Sequence, residues 1–92
     1  GRVFEAAVGA ALARSQGELY YWRNGNFEVD FVLQLEGKIF AVEVKSGRKR
    51  GSRGLEKFIA EHPGCIPLII DDQNGENLLK ADNINASDLL NY

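Results

Sequence analysis

Residues 27–46 read FEVDFVLQLEGKIFAVEVKS, and two runs of alternating apolar and polar residues flank Glu36 and Gly37. Alternation on both sides of a two-residue turn is typical of a tight β-hairpin. The segment therefore predicts two antiparallel strands in which Leu35 pairs with Lys38 next to the turn.

This register brings charged side chains together further along the hairpin. Continued outward from the turn, it places Asp30 opposite Glu43 and Glu28 opposite Lys45. Two carboxylates that face each other across a ladder repel and destabilise the sheet. A hard divalent cation such as Mg²⁺, which prefers carboxylate oxygens, would remove that cost. The pattern predicts a metal site with the Lys45 ammonium beside it; the alternative is an exposed carboxylate pair whose repulsion Lys45 partly relieves.

The composition is that of a single ordinary globular domain. The chain has 92 residues, of which 45% are hydrophobic and 26% are charged, with a net charge of −2. No apolar run reaches the ~18 residues that span a bilayer, and no signal peptide is visible, so we expect no membrane partner. The lone Cys65 has no internal disulfide partner, which fits a buried thiol in a cytoplasmic protein. Because the sequence begins at Gly1 without a methionine, we expect a fragment of a longer protein.

Positive charge is concentrated directly after the hairpin. Residues 45–57 carry six cations against the single acid Glu56, namely Lys45, Arg48, Lys49, Arg50, Arg53 and Lys57. A basic run is either a solvated loop or a contact for a phosphate backbone, and both readings stay open.

The N-terminal segment predicts a helix. Residues 2–15 are rich in alanine and place apolar side chains at helical spacing. Glu5 lies on the rim of the apolar face, where it is either a site residue or a first-turn acid that favours the helix dipole. Gly17 is the expected C-cap.

The following aromatic segment predicts the first strand of the sheet. Residues 18–23 are enriched in aromatic side chains, and Asn24 with Gly25 predicts the turn into the next strand. Tyr20 would then face Val29. This register assigns one apolar face, the expected main core, to Tyr20, Trp22, Phe27, Val29, Phe31, Leu33, Phe40, Val42 and Val44.

The C-terminal half predicts a crossover. Ser52 is the expected cap of a helix that runs to about His62. The apolar residues 66–71 predict a strand parallel to the one before that helix, because a strand–helix–strand unit has that arrangement. Residues 78–84 suggest an edge strand and residues 86–90 a helical turn. The expected fold class is α/β, with three antiparallel strands and a fourth strand parallel to the third.

These motifs together resemble the PD-(D/E)XK phosphodiesterase superfamily, which includes restriction endonucleases and archaeal Holliday-junction resolvases. More narrowly, GRVFE, LYYWR, EVDF and VEVKSG resemble an uncharacterised C-terminal domain that follows AAA+ ATPase modules in bacterial and archaeal proteins. The resemblance implies a restriction endonuclease-like α-β-β-β-α-β core. It also implies that residues 1–92 form one nuclease-like domain at the end of a longer, ATPase-containing chain. No GxxxxGK[ST] motif occurs, so no ATP binding is assigned to this segment.

The resemblance also implies the roles of the site residues. Asp30, Glu43 and the backbone carbonyl of Val44 are expected to bind Mg²⁺ or Mn²⁺, and Glu5 to complete the metal shell. Lys45 is expected to orient or deprotonate the attacking water. The superfamily's proline before the aspartate is replaced by valine, which is a common variation and leaves the metal set unchanged.

Two functions follow from this resemblance. The first is a metal-dependent nuclease that cleaves DNA, with Arg48, Lys49, Arg50 and Arg53 holding the strand. The second is a catalytically silent module that binds nucleic acid or a partner and regulates the attached ATPase. A role confined to assembly of the parent ATPase is a third option. Domains of this kind often act as homodimers, and nothing in the sequence locates an interface.

Overall fold

The computed structural model describes residues 2–45 and 52–92. Its elements in chain order are α1 Arg2–Ala13, β1 Glu18–Asn24, β2 Phe27–Leu35, β3 Lys38–Val44, α2 Arg53–Glu61, β4 Ile66–Ile70, α3 Glu76–Lys80 and α4 Ala86–Leu89. The four strands form one sheet in sequence order, with β3 and β4 parallel and the other pairs antiparallel. The predicted α/β class and strand directions are confirmed. Within the described ranges, no helix combines the length and apolar character needed to cross a membrane.

The predicted hairpin between β2 and β3 is confirmed. Both turn residues adopt the left-handed conformation, with φ of 53° at Glu36 and 77° at Gly37, as a type I′ turn requires. Backbone pairing runs from Leu35 with Lys38 to Phe31 with Val42, in the predicted register. The ladder ends there, so the predicted pairs of Asp30 with Glu43 and of Glu28 with Lys45 are not formed.

The turn between β1 and β2 lies one residue later than predicted. Asn24 pairs with Phe27, so Gly25 and Asn26 form the loop, and the expected pair of Tyr20 with Val29 is wrong. Gly25 has a φ of 62°. This is the position that a type II′ turn gives to glycine, the first of the two loop residues.

A β-bulge in β2 changes which face each neighbouring side chain takes. Trp22 pairs with Val29, but Tyr20 pairs with Val32. Tyr21 alone therefore stands opposite two residues of β2, which is the pattern of a β-bulge. Tyr20 is 47% exposed, so the expectation that it packs in the main core is wrong; Tyr21 is 81% exposed.

The sheet separates two apolar clusters. The main core lies under α1, α3 and α4, and it contains Val8, Leu12, Phe31, Leu33, Phe40, Val42, Val44, Ile70, Leu78 and Leu89. The second cluster lies under α2 and contains Val29, Val32, Ala41, Leu55 and Phe58, with Trp22 and Cys65 packed at its edge. The bulge moved Val29 from the predicted main core to this second cluster. Cys65 is only half-buried, not fully buried as expected, and this partial burial raises the pKa of its thiol.

The C-terminal segment forms two short helices. The edge strand predicted for residues 78–84 is wrong, because Glu76–Lys80 is helical and is supported by the ion pair between Lys80 and Glu76, 3.1 Å long. The predicted final helical turn is confirmed as α4, which Asn85 caps. The predicted C-cap role of Gly17 is not observed, since α1 ends at Ala13.

Helix α2 approaches β2 very closely at Gly54. A Cβ atom on Gly54 would overlap the backbone carbonyl of Glu28, which no side-chain rotation can relieve. This contact fixes the N-terminal end of α2 beside the start of β2. Gly64, in the loop after α2, faces open space, since a Cβ atom there would meet nothing within 4 Å, and its φ is not left-handed.

We expect Gly54→Ala to lower the free energy of unfolding by about 1–3 kcal/mol, the usual cost of overpacking. Alanine is the better helix former by about 1 kcal/mol, so propensity alone predicts the opposite sign. Gly64→Ala is the control and should change stability by less than about 0.5 kcal/mol. Urea unfolding measures both variants. A Gly54→Ala protein as stable as the wild type would contradict the close approach of α2 to β2.

Candidate functional site

Asp30 lies where the backbone ladder between β2 and β3 ends. Its carboxylate Oδ2 accepts a hydrogen bond from the Val44 backbone N–H at 2.7 Å. The carboxylate oxygen thus takes the place of the β2 backbone carbonyl that would accept this hydrogen bond if the ladder continued. Because the N–H of Val44 follows directly after Glu43, the Asp30 carboxylate lies beside the Glu43–Val44 peptide. The structure therefore brings Asp30 to the Glu-Val-Lys motif, through its side chain rather than through ladder pairing.

Glu43 is a buried carboxylate on the α2 side of the sheet. Its residue is 5% exposed. Its Oε2 accepts a hydrogen bond from the Ser52 hydroxyl at 3.1 Å and lies 3.8 Å from the Lys45 Nζ. Ser52 is the N-cap residue of α2, as predicted, but its side chain makes no capping hydrogen bond. The hydroxyl binds Glu43 instead, so α2 is tied to β3 at this point.

Glu5 lies in the first turn of α1 and lines a cleft between α1 and β1. Asp30, Glu28 and Tyr21 line the same cleft, whose volume is about 830 Å³. Glu28 does not pair with Lys45 as predicted, because its carboxylate forms a 2.9 Å ion pair with Arg23. The structure therefore brings Glu5 and Asp30 to one cleft, while Glu43 points to Ser52.

The carboxylates do not form a three-ligand cluster within the part of the chain described. No group of three or more His, Cys, Asp or Glu side chains among residues 2–45 and 52–92 could hold a metal ion. The Glu-Val-Lys motif supplies the carboxylate of Glu43 and the backbone carbonyl of Val44 as oxygen donors, and Asp30 lies beside it. Carboxylate and carbonyl oxygens are the ligands that Mg²⁺ and Mn²⁺ prefer. The donor chemistry fits such a cation, and the third carboxylate expected from Glu5 is not assembled.

Part of the predicted basic contact can be located. Arg48, Lys49 and Arg50 lie outside the described residues. Arg53 is exposed at the start of α2, with its guanidinium 5.1 Å from the centre of the Phe27 ring. Lys57 lies one turn later, with its Nζ 5.7 Å from the same ring.

Sequence reasoning missed three features of this region. The Ser52 contact with Glu43 has no sequence signal beyond a polar residue in the capping position. The contact of Phe27 with Arg53 and Lys57 depends on how α2 packs on β2, which the sequence does not show. The place of Tyr21 in the cleft depends on the bulge, which alternation of apolar residues does not predict.

We expect Ser52→Asp to destabilise the domain by about 1–3 kcal/mol, because it replaces a hydrogen-bond donor to a buried carboxylate with a second negative charge. Aspartate is as good an N-cap residue as serine, so a generic capping effect predicts no loss. Ser52→Asn is the matched control, since it keeps the cap and an N–H donor without adding charge. Thermal and urea unfolding compare the two. Equal stability of the Asp and Asn variants would show that Ser52 does not contact Glu43.

A comparison with known proteins places the chain in a family. No curated protein and no solved structure matches it significantly. The profile of a family described as a domain of unknown function (DUF4143) matches residues 1–89, nearly the whole chain. The chain therefore belongs to the DUF4143 family.

Proposed function

We propose that this domain is a metal-dependent phosphodiesterase that hydrolyses DNA. The observation that carries the proposal is the 2.7 Å hydrogen bond from the Val44 N–H to Asp30, which joins the aspartate of β2 to the Glu-Val-Lys motif of β3. The core order α-β-β-β-α-β and the strand directions also agree with the restriction endonuclease-like architecture that the motifs resemble. Fold likeness alone does not carry an activity, so the proposal depends on the chemistry of this site.

The proposed cation is Mg²⁺ or Mn²⁺, held by Asp30, Glu43 and the carbonyl of Val44. Such an ion polarises a phosphoryl oxygen and lowers the pKa of a bound water. Glu43 is buried and Asp30 half-buried. Both carboxylates lie beside the Glu43–Val44 peptide, and carboxylate oxygens are the ligands that a hard divalent cation prefers.

Lys45 supplies the fixed positive charge of the proposed site. Its Nζ lies 3.8 Å from Glu43 Oε2. An ammonium group at that position can orient an attacking water and stabilise the negative charge that develops on the phosphate. Glu5 lines the same cleft as Asp30. There it can bind a water in the outer shell of the proposed metal ion.

The proposed partner is the DNA backbone, held by the basic run after β3. Arg53 and Lys57 are spaced one helical turn apart on α2, and both lie over Phe27. Arg48, Lys49 and Arg50 precede them in sequence. Cations of this kind contact phosphates without reading sequence. An upstream AAA+ ATPase module and a homodimer complete the proposal, as the sequence resemblance implies. The proposed location is the cytoplasm, which the lone Cys65 fits.

We expect DNA cleavage that depends on Mg²⁺ or Mn²⁺ and falls by about 10²–10⁴-fold in Asp30→Asn and in Lys45→Met, because each removes a group that acts in the transition state. Asp82→Asn and Lys38→Met are matched controls, since both residues are exposed and lie away from the site. The assay uses supercoiled, linear, single-stranded and branched DNA. If every substrate stays intact with both metals, the nuclease proposal fails.

A catalytically silent module is the second candidate, and one observation favours it. The Glu43 carboxylate already has two partners, Ser52 and Lys45, which is what a purely structural glutamate would show. Calorimetric titration with Mn²⁺ separates the two functions. The nuclease requires binding that Asp30→Ala abolishes. The silent module predicts no Mn²⁺ binding, together with salt-sensitive DNA binding that survives Asp30→Ala and is lost when the cations at 48–50 are neutralised.

A further inference from the structure

Tyr21 is an exposed aromatic side chain in the cleft that contains Asp30 and Glu5. It is 81% exposed, the largest value among the aromatic residues described. It lines the cleft between α1 and β1 together with both carboxylates. It also lines a smaller adjoining hollow of about 230 Å³, which includes Glu5, Trp22 and Asp30. An exposed ring beside the proposed reacting groups is available to a ligand.

The Tyr21 ring is supported from one side. Its centroid lies 5.8 Å from that of Phe31, with 42° between the ring planes. Phe31 is 4% exposed and packs against Gly9 of α1, where a Cβ atom would come within 2.7 Å of its ring. The Phe31 ring therefore has no room to move toward α1. The bulge places Tyr21 opposite Asp30 and Phe31 together, so the ring and the carboxylate are presented to the same space.

The opposite wall of the cleft is built from small residues. Ala6, Gly9 and Ala10 of α1 line it, and they leave room for a flat group between the helix and Tyr21. The charged groups in the cleft are Arg2, Glu5, Glu28 and Asp30. Three of these four groups are acids, so without a bound cation the cleft favours a neutral flat group over a free phosphate, and the face of a nucleobase can stack on an aromatic ring.

The geometry points to Tyr21 as a stacking platform for a nucleobase of single-stranded nucleic acid, next to the proposed cleavage site. An unpaired base enters the cleft against the ring, beside Glu5 and Asp30. A paired base inside a duplex does not present its face, so the platform selects single-stranded or frayed substrate. This inference rests on the proposed function for the identity of the ligand as nucleic acid.

Binding of a labelled oligothymidylate, measured by fluorescence anisotropy in Ca²⁺ and separately in EDTA, tests the inference. We expect Tyr21→Ala to weaken binding by about 5- to 150-fold, the range that loss of one base–aromatic stack gives. Tyr21→Phe should bind like the wild type, because it keeps the ring. Tyr20→Ala is the matched control, since Tyr20 is the neighbouring exposed tyrosine and does not line the cleft. Binding of a blunt duplex should not change in any of the three variants.

Three results would overturn the stacking platform. They are no binding of the oligothymidylate by the wild type, equal effects of Tyr21→Ala and Tyr20→Ala, and an equal loss of duplex and single-strand binding.

Failure of the stacking platform can be told apart from failure of the proposed nuclease. Ring-dependent binding without any cleavage would support the platform and defeat the nuclease. Cleavage that depends on Asp30 but not on Tyr21 would support the nuclease and defeat the platform.

Discussion

The hydrogen bond from the Val44 amide to the Asp30 carboxylate joins the two central strands at the point where their backbone ladder ends. The bulge in the pairing of β2 with β1 lies at the same point of β2. The same irregularity turns Tyr21 toward the cleft and moves Val29 to the face covered by α2. Bulges often re-aim side chains next to functional sites, and here the bulge stands where Tyr21 and Asp30 line the same cleft.

Helix α2 completes the arrangement from the other side of the sheet. Gly54 lets the helix reach the backbone of Glu28, and Ser52 then contacts the buried Glu43. The carboxylate is thus part of the packing between α2 and β3 as well as a proposed metal ligand. Glu43 can contribute to stability through its contact with Ser52 and to activity as a metal ligand. Stability and metal binding therefore have to be measured separately.

Much of this fold could be predicted from local patterns. The turn at Glu36 and Gly37 set the register of β2 with β3, and the strand–helix–strand order set the parallel direction of β4. The β1 register failed first because the turn falls at Gly25 and Asn26 rather than at Asn24 and Gly25. It then shifts again at a bulge, which depends on tertiary packing that apolar alternation does not encode. Residues 78–84 failed because a short apolar run fits a helix as well as a strand. In the site, order along the chain correctly suggested that Asp30 lies near the Glu-Val-Lys motif, but it could not reveal the direction in which Glu43 points.

Hydrogen exchange at the Val44 amide tests the central contact most directly. The Lys45 amide donates to the Ile70 carbonyl of β4 at 2.8 Å and serves as an internal reference. If the Asp30 carboxylate holds the end of the ladder, Asp30→Ala should reduce the protection of Val44 by about tenfold, corresponding to about 1.4 kcal/mol, and leave Lys45 protected. Unchanged protection of Val44, or an equal loss at both amides, would contradict this role of Asp30.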